Sequence, residues 1–164
     1  MAGKVPLITC ICTGNSCRSP MAAKLLQHAL GAENDPWCTY RVISAGVSAA
    51  NGGRASTHAI NVLKKVGLDL TDHRSSQITN KLIEDSIVVF CMTESHRQYL
   101  RELFPQFKIP IQLFREHIPS TTELEISDPF GTNLSVYNSC RDSIVEAIPY
   151  IIKYLKNSHK PEKD

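Results

Sequence analysis

Hydrophobic and polar positions alternate between two rhythms along this chain. Val5 to Cys12 (VPLITCIC) is a short apolar, β-branched run that stops at Thr13-Gly14-Asn15, the pattern of a buried strand feeding a turn. Residues 19–31 then carry apolar positions at helical spacing, with Ser19 predicted as N-cap, Pro20 at the first helical position and Gly31 as the stop. A second strand is predicted at Arg41 to Gly46, and a second helix at Thr57 to Gly67 with its own glycine terminator. Ile87 to Met92 reads as a strand covered on both faces, followed by a helix from Ser95 to Phe104 and a strand from Ile109 to Phe114. The last helix, Ser135 to Lys156, has Val136, Ile144, Val145, Ile148, Ile151, Ile152 and Leu155 on one stripe, and Pro149 is expected to kink or restart it. This alternation predicts an α/β fold around a parallel sheet of about four strands.

Composition narrows the class. With 164 residues and 42% hydrophobic side chains the chain supports one core, so a single domain over residues 1–157 is expected, followed by a disordered polar tail at 158–164. A net charge of +2 is far from the dense positive surface of a dedicated nucleic-acid binder. No apolar run reaches the ~18 residues of a membrane-spanning helix, and the first dozen residues do not form a secretory signal, so a cytoplasmic protein without a membrane partner is expected. The cysteines at 10, 12, 17, 38, 91 and 140 are too unevenly spread for a disulfide framework. None belongs to a pair of ligand pairs, and no histidine has a partner at ligand spacing, so no metal is expected.

The segment that asks for a chemical explanation is Cys12-Thr13-Gly14-Asn15-Ser16-Cys17-Arg18-Ser19-Pro20, between the first strand and the first helix. Backbone N–H groups of a tight loop that opens a helix converge on an anion, and the helix dipole adds to the attraction. The same field favours a thiolate at Cys12, which makes it a nucleophile. Arg18 can grip two phosphoryl oxygens at once, and the Ser19 hydroxyl can stabilise the sulfur as a leaving group.

The run Cys12 to Pro20 resembles the signature loop of the low-molecular-weight protein tyrosine phosphatase family, and Ser127-Asp128-Pro129-Phe130-Gly131 resembles its general-acid loop. Ser44-Ala45-Gly46, Asp72 to Thr79 and Cys91 to Ser95 fall between them in family order, so the resemblance spans nearly the whole chain. It implies a flavodoxin-like three-layer sandwich, a four-stranded parallel sheet with helices on both faces, and a phosphocysteine intermediate formed without metal or cofactor. Cys12 would attack phosphorus, while Arg18 and the loop from Thr13 through Gly14, Asn15 and Ser16 to Cys17 bind the equatorial oxygens. Asp128 would protonate the leaving group and then act as base toward water, releasing inorganic phosphate. Asn15, Ser44 and His73 match positions that hold the loop in shape, and Cys17 matches a second loop cysteine, which implies a reversible Cys12–Cys17 disulfide that protects the nucleophile.

Selectivity is expected at Ser16 and Phe130. Tyrosine-specific members usually carry a bulky aliphatic residue in place of Ser16, aromatic residues after the Asp-Pro, and Asp in place of Thr93. The protein arginine phosphatases of the same family resemble this chain better, with a small hydroxyl residue at that loop position and an Asp-Pro-Phe-Gly acid loop. Phosphorylated proteins are therefore the expected substrates, phosphoarginine first and phosphotyrosine second, with Phe130, Trp37 or Tyr40 as candidate walls for an aryl ring. A single-chain, monomeric enzyme is expected. Thiol-linked arsenate reduction is a further reading from the loop, although it needs two more cysteines close together. A phosphoprotein-binding module would need neither Cys12 nor Asp128.

Overall fold

The computed structural model describes residues 4–159. Strands β1 (Leu7–Cys12), β2 (Arg41–Gly46), β3 (Ser86–Cys91) and β4 (Ile111–Leu113) form one parallel sheet in the order β2-β1-β3-β4. Helices α1 (Arg18–Gly31), α2 (Thr57–Lys64), α3 (Asn80–Asp85), α4 (Glu94–Leu103) and α5 (Leu134–Ser158) surround it, with a short 3₁₀ turn at Trp37–Thr39. The two-residue period of the strands sorts the core into two layers. Ile8 and Cys10 of β1, with Val88 and Phe90 of β3, pack with Met21, Leu26, Leu63, Ile144 and Ile151 on one side. Ile11, Val89 and Cys91 pack with Ile83 and Leu100 on the other. The expected three-layer α/β architecture is the one observed.

Several boundaries differ from the sequence reading for identifiable reasons. The first helix begins at Arg18, and Cys17 holds the N-cap position without any side-chain cap, so Ser19 is not the cap. Its hydroxyl lies beside the Cys12 sulfur instead. The second helix ends at Lys64, and Gly67, at φ 78°, closes it: Gly67 N–H donates to the Lys64 carbonyl and Leu68 N–H to the Leu63 carbonyl. Pro149 does not restart the last helix. It sits on the exposed side, while Ile144, Ala147, Ile148, Ile151 and Leu155 are buried along one continuous stripe whose packing outweighs one missing backbone bond. That helix continues to Ser158, one residue into the predicted tail; residues 160–164 lie outside the described residues.

β1 lies between β2 and β3, so the chain leaves its carboxyl end at the point where the strand order reverses, the usual crevice of an open α/β sheet. Cys12 is paired in register with Gly46. A Cβ on Gly46 would stand 2.4 Å from the Thr13 carbonyl oxygen, so only glycine lets the end of β2 approach the loop this closely.

Candidate active site

The loop from Thr13 to Cys17 is held by its own side chains and by both neighbouring strands. Asn15, fully buried, adopts a left-handed φ of 55°, a conformation Asn tolerates better than most residues. Its amide nitrogen donates to Ser19 Oγ at 2.8 Å and to Ser44 Oγ at 2.9 Å, and its Oδ1 accepts from Ser76 N–H at 2.9 Å. His73 Nε2 lies 2.7 Å from the Asn15 carbonyl oxygen. Burial holds the His73 pKa below the ordinary histidine value, against the opposing pull of that bond. Asn15, Ser44 and His73 are thus brought together as the resemblance implied.

Cys12 is buried, and its sulfur is 2.9 Å from Ser19 Oγ. Because Asn15 already donates to that oxygen, the single O–H of Ser19 is free for the sulfur; the Ala45 carbonyl, at 3.3 Å, is the more distant alternative acceptor. Arg18 is 4% exposed. One of its amino groups donates to the Ile126 carbonyl at 3.1 Å, and the other faces Asp128 Oδ2 at 3.6 Å. Two loops distant in sequence are joined in this way beside Cys12. The Asp128 side chain is 53% exposed, and its Oδ1 accepts the Phe130 N–H at 3.1 Å, so the carboxylate also shapes its own turn.

Cys12, Thr13, Gly14, Ser16, Cys17, Arg18, Asp128 and Phe130 line one cavity of about 210 Å³. A larger groove of about 560 Å³ runs past Arg97, Phe104 and Gln112 but contains no nucleophile, so the chemistry places the site in the smaller one. Phe130, 72% exposed, forms the rim. Trp37 and Tyr40 do not line this cavity; they pack on each other and against the large core layer. Among the candidate aromatic walls, Phe130 alone is in place.

Cys17 faces away from solvent, with its sulfur 3.1 Å from Tyr137 Oη and 3.5 Å from Ser56 Oγ. Burial, with the neighbouring Cys17, pushes the Tyr137 phenol up to about 12, which keeps it protonated and able to donate. All six cysteines are free thiols. Cys91 and Cys140 belong to opposite core layers, so they cannot form the adjacent pair an arsenate relay requires. Tyr137 and Ser56 are not legible in the sequence because each reaches the loop from far along the chain. Among the described residues, no group of three or more His, Cys, Asp or Glu is arranged to hold a metal, and no helix is long and apolar enough to cross a membrane.

A buried cysteine at the carboxyl end of a central strand, beneath a helix start and opposite a buried arginine and a carboxylate, is the arrangement of a phosphate-handling cysteine enzyme. The chain belongs to the low molecular weight phosphotyrosine protein phosphatase family, whose profile matches residues 7–161. A protein-arginine-phosphatase of Geobacillus stearothermophilus is 40% identical over 146 residues, 89% of this chain and 93% of that protein. The structure of the YwlE arginine phosphatase from Geobacillus stearothermophilus superposes with a TM-score of 0.82 at 35% identity, covering 96% of this chain and 99% of that one. A YwlE arginine phosphatase in which serine replaces the active-site cysteine, and in which that serine is phosphorylated, superposes with a TM-score of 0.80 at 30% identity, covering 93% and 97%. Membership makes this chain a protein phosphatase.

Proposed function

We propose that this protein hydrolyses phosphoarginine in proteins, through a phosphocysteine on Cys12. The observation that carries the reading is the pairing of half-buried Ser16 with the Asp128 carboxylate on the wall of one small cavity. A short side chain at 16 leaves width for a planar guanidinium, and the carboxylate that forms once Asp128 has given up its proton can pair with the charge of the departing guanidinium. The two 30–40% identical relatives with that printed activity support it.

In this mechanism the Cys12 thiolate attacks phosphorus while the P–N bond breaks, and Asp128 gives its proton to the leaving guanidine nitrogen. Water then attacks phosphorus, Asp128 takes the water proton, the S–P bond breaks and inorganic phosphate leaves. Ser19 donates to the departing sulfur. Arg18 and the loop from Thr13 to Cys17 balance the charge that develops on the equatorial oxygens, so the reaction needs no metal. Asn15, Ser44 and His73 keep the loop in shape, and Cys17 supplies the thiol for a protective disulfide with Cys12. The site is completed within one chain, which suits a monomer, and six free cysteines suit the reducing cytoplasm.

The test is kcat/KM for a phosphoarginine peptide and a phosphotyrosine peptide, side by side in a metal chelator. A preference for phosphoarginine of roughly 10²-fold or more is expected, and Ser16→Ile should move the ratio toward phosphotyrosine. A preference for phosphotyrosine in the parent enzyme would place the chain with the tyrosine-specific members and overturn the reading.

A further inference from the structure

His96 sits in the first turn of α4, 83 residues from the loop in sequence, yet it reaches the residue next to the nucleophile. Its Nε2 is 2.8 Å from Thr13 Oγ1, and its Nδ1 is 3.0 Å from Thr93 Oγ1, the hydroxyl that caps α4. The ring is nearly fully buried although Thr13 itself is exposed. We propose that His96 is a positioning residue for the phosphatase reaction, fixing Thr13 from the β3 side as Asn15 fixes the loop from the β2 side.

Two sets of contacts give that bond leverage. The Cys12–Thr13 peptide is gripped on its carbonyl by Val47 N–H at 3.0 Å, and the Thr13 carbonyl by Ser48 N–H at 3.0 Å. With the backbone held from β2, the Thr13 side chain is the remaining freedom of the first loop residue, and His96 removes it. The same turn of the chain also holds the acid-bearing segment. Glu94 N–H donates to Glu125 Oε1 at 2.8 Å, and Ile126 N–H donates to the Met92 carbonyl at 2.8 Å, two residues before Asp128. Residues 92–96 therefore bracket the nucleophile loop on one side and the acid on the other.

Burial and the nearby Arg18 charge bring the His96 pKa down to about 4, against the smaller opposing influence of Asp128 and Glu125, so the ring works neutral. A neutral imidazole has one donor and one acceptor, which matches two hydroxyl partners, each able to play the complementary part. A charged ring would add a second cation beside Arg18.

The inference rests on the loop being a phosphate cradle and not on which phosphorylated side chain is cleaved. Its test compares His96→Gln, whose amide nitrogen can still reach Thr13, with His96→Asn, which retains only the near partner Thr93. Inorganic phosphate binding by calorimetry is read beside kcat and KM on a small aryl phosphate. His96→Asn should weaken phosphate binding and lower kcat roughly tenfold each, as loss of one buried hydrogen bond implies, while His96→Gln restores most of both. Thr13→Val should match His96→Asn, and the double variant should be no worse than either alone. Equal behaviour of the Gln and Asn variants, or additive losses in the double variant, would overturn the proposal and leave His96 as a core residue. A parent enzyme that binds phosphate but ignores phosphoarginine would refute the substrate reading alone, since the phosphate comparison is independent of it.

Discussion

The two halves of the candidate active site are built in opposite ways. The half around Cys12, the proposed nucleophile, is buried and cross-braced: Asn15 bonds to Ser19, Ser44 and Ser76, and its carbonyl meets His73. The half around Asp128, the proposed acid, is open: the Asp128 side chain is 53% exposed, Phe130 projects into solvent, and the segment is tied back by Arg18 to Ile126 and Asp128 and by the Ile126 N–H to the Met92 carbonyl. The difference follows the division of labour. Binding the transferring phosphoryl group requires donors fixed in advance, which a dense polar network supplies. Meeting a protein side chain requires surface, and surface loops are where selectivity is set.

The sharpest way to break this contrast is at the acid. Asp128→Asn should lower kcat by roughly 10²–10³-fold with unchanged thermal stability, because an exposed side chain carries little packing. A marked fall in melting temperature would show that the open half is structural too. Asn15→Ala should do the reverse in kind, costing about 2–3 kcal/mol of stability from stranded buried partners and lowering kcat/KM through a relaxed loop. Thermal denaturation together with kinetics checks both; full stability in Asn15→Ala would deny the bracing.

A gentler probe uses pH. The His96 pKa lies at about 4 in the folded protein against an ordinary value of 6.5, so between those values the unfolded chain binds a proton that the folded one refuses. Stability should therefore decline as pH falls from 6.5 to about 4, by on the order of 2–3 kcal/mol from this ring, with His73 acting in the same direction. Denaturant titrations of parent and His96→Gln should diverge over that window. Parallel curves would contradict the assignment. The smallest effect belongs to the rim: Phe130→Ala should raise KM for peptide substrates roughly threefold to tenfold and leave phosphate binding and stability alone.

The fold was legible because its four strands are short apolar runs that end at turn residues, and because helical stripes separate them. Helix α3 was not, since six residues, Asn80 to Asp85, are too few to display a period. Ser19 carried two expectations, a helix cap and a partner for the Cys12 sulfur, and only the second holds. Ser before Pro at a helix start is the signature of a cap, but Cys17 takes the cap position while the Ser19 hydroxyl lies beside the sulfur. Local rules fail where function has claimed the side chain. Cys12, Arg18 and Asp128 could be singled out as candidates because two sequence motifs carry them, and the structure brings all three to one cavity, whereas His96 and Tyr137 reach the loop through contacts across 83 and 120 residues, which no spacing rule encodes. Trp37 and Tyr40 could not be sorted from Phe130 because composition does not say which aromatic reaches a cavity.

The central claim is that Cys12 accepts the phosphoryl group of phosphoarginine. Acid quenching during turnover of a phosphoarginine peptide, followed by mass spectrometry, measures it directly. One phosphoryl group on the peptide containing Cys12, absent in Cys12→Ala and accumulating in Asp128→Ala when loss of the base slows hydrolysis, is the predicted result. An unmodified Cys12 while phosphate is released, or modification by phosphotyrosine alone, would contradict the account.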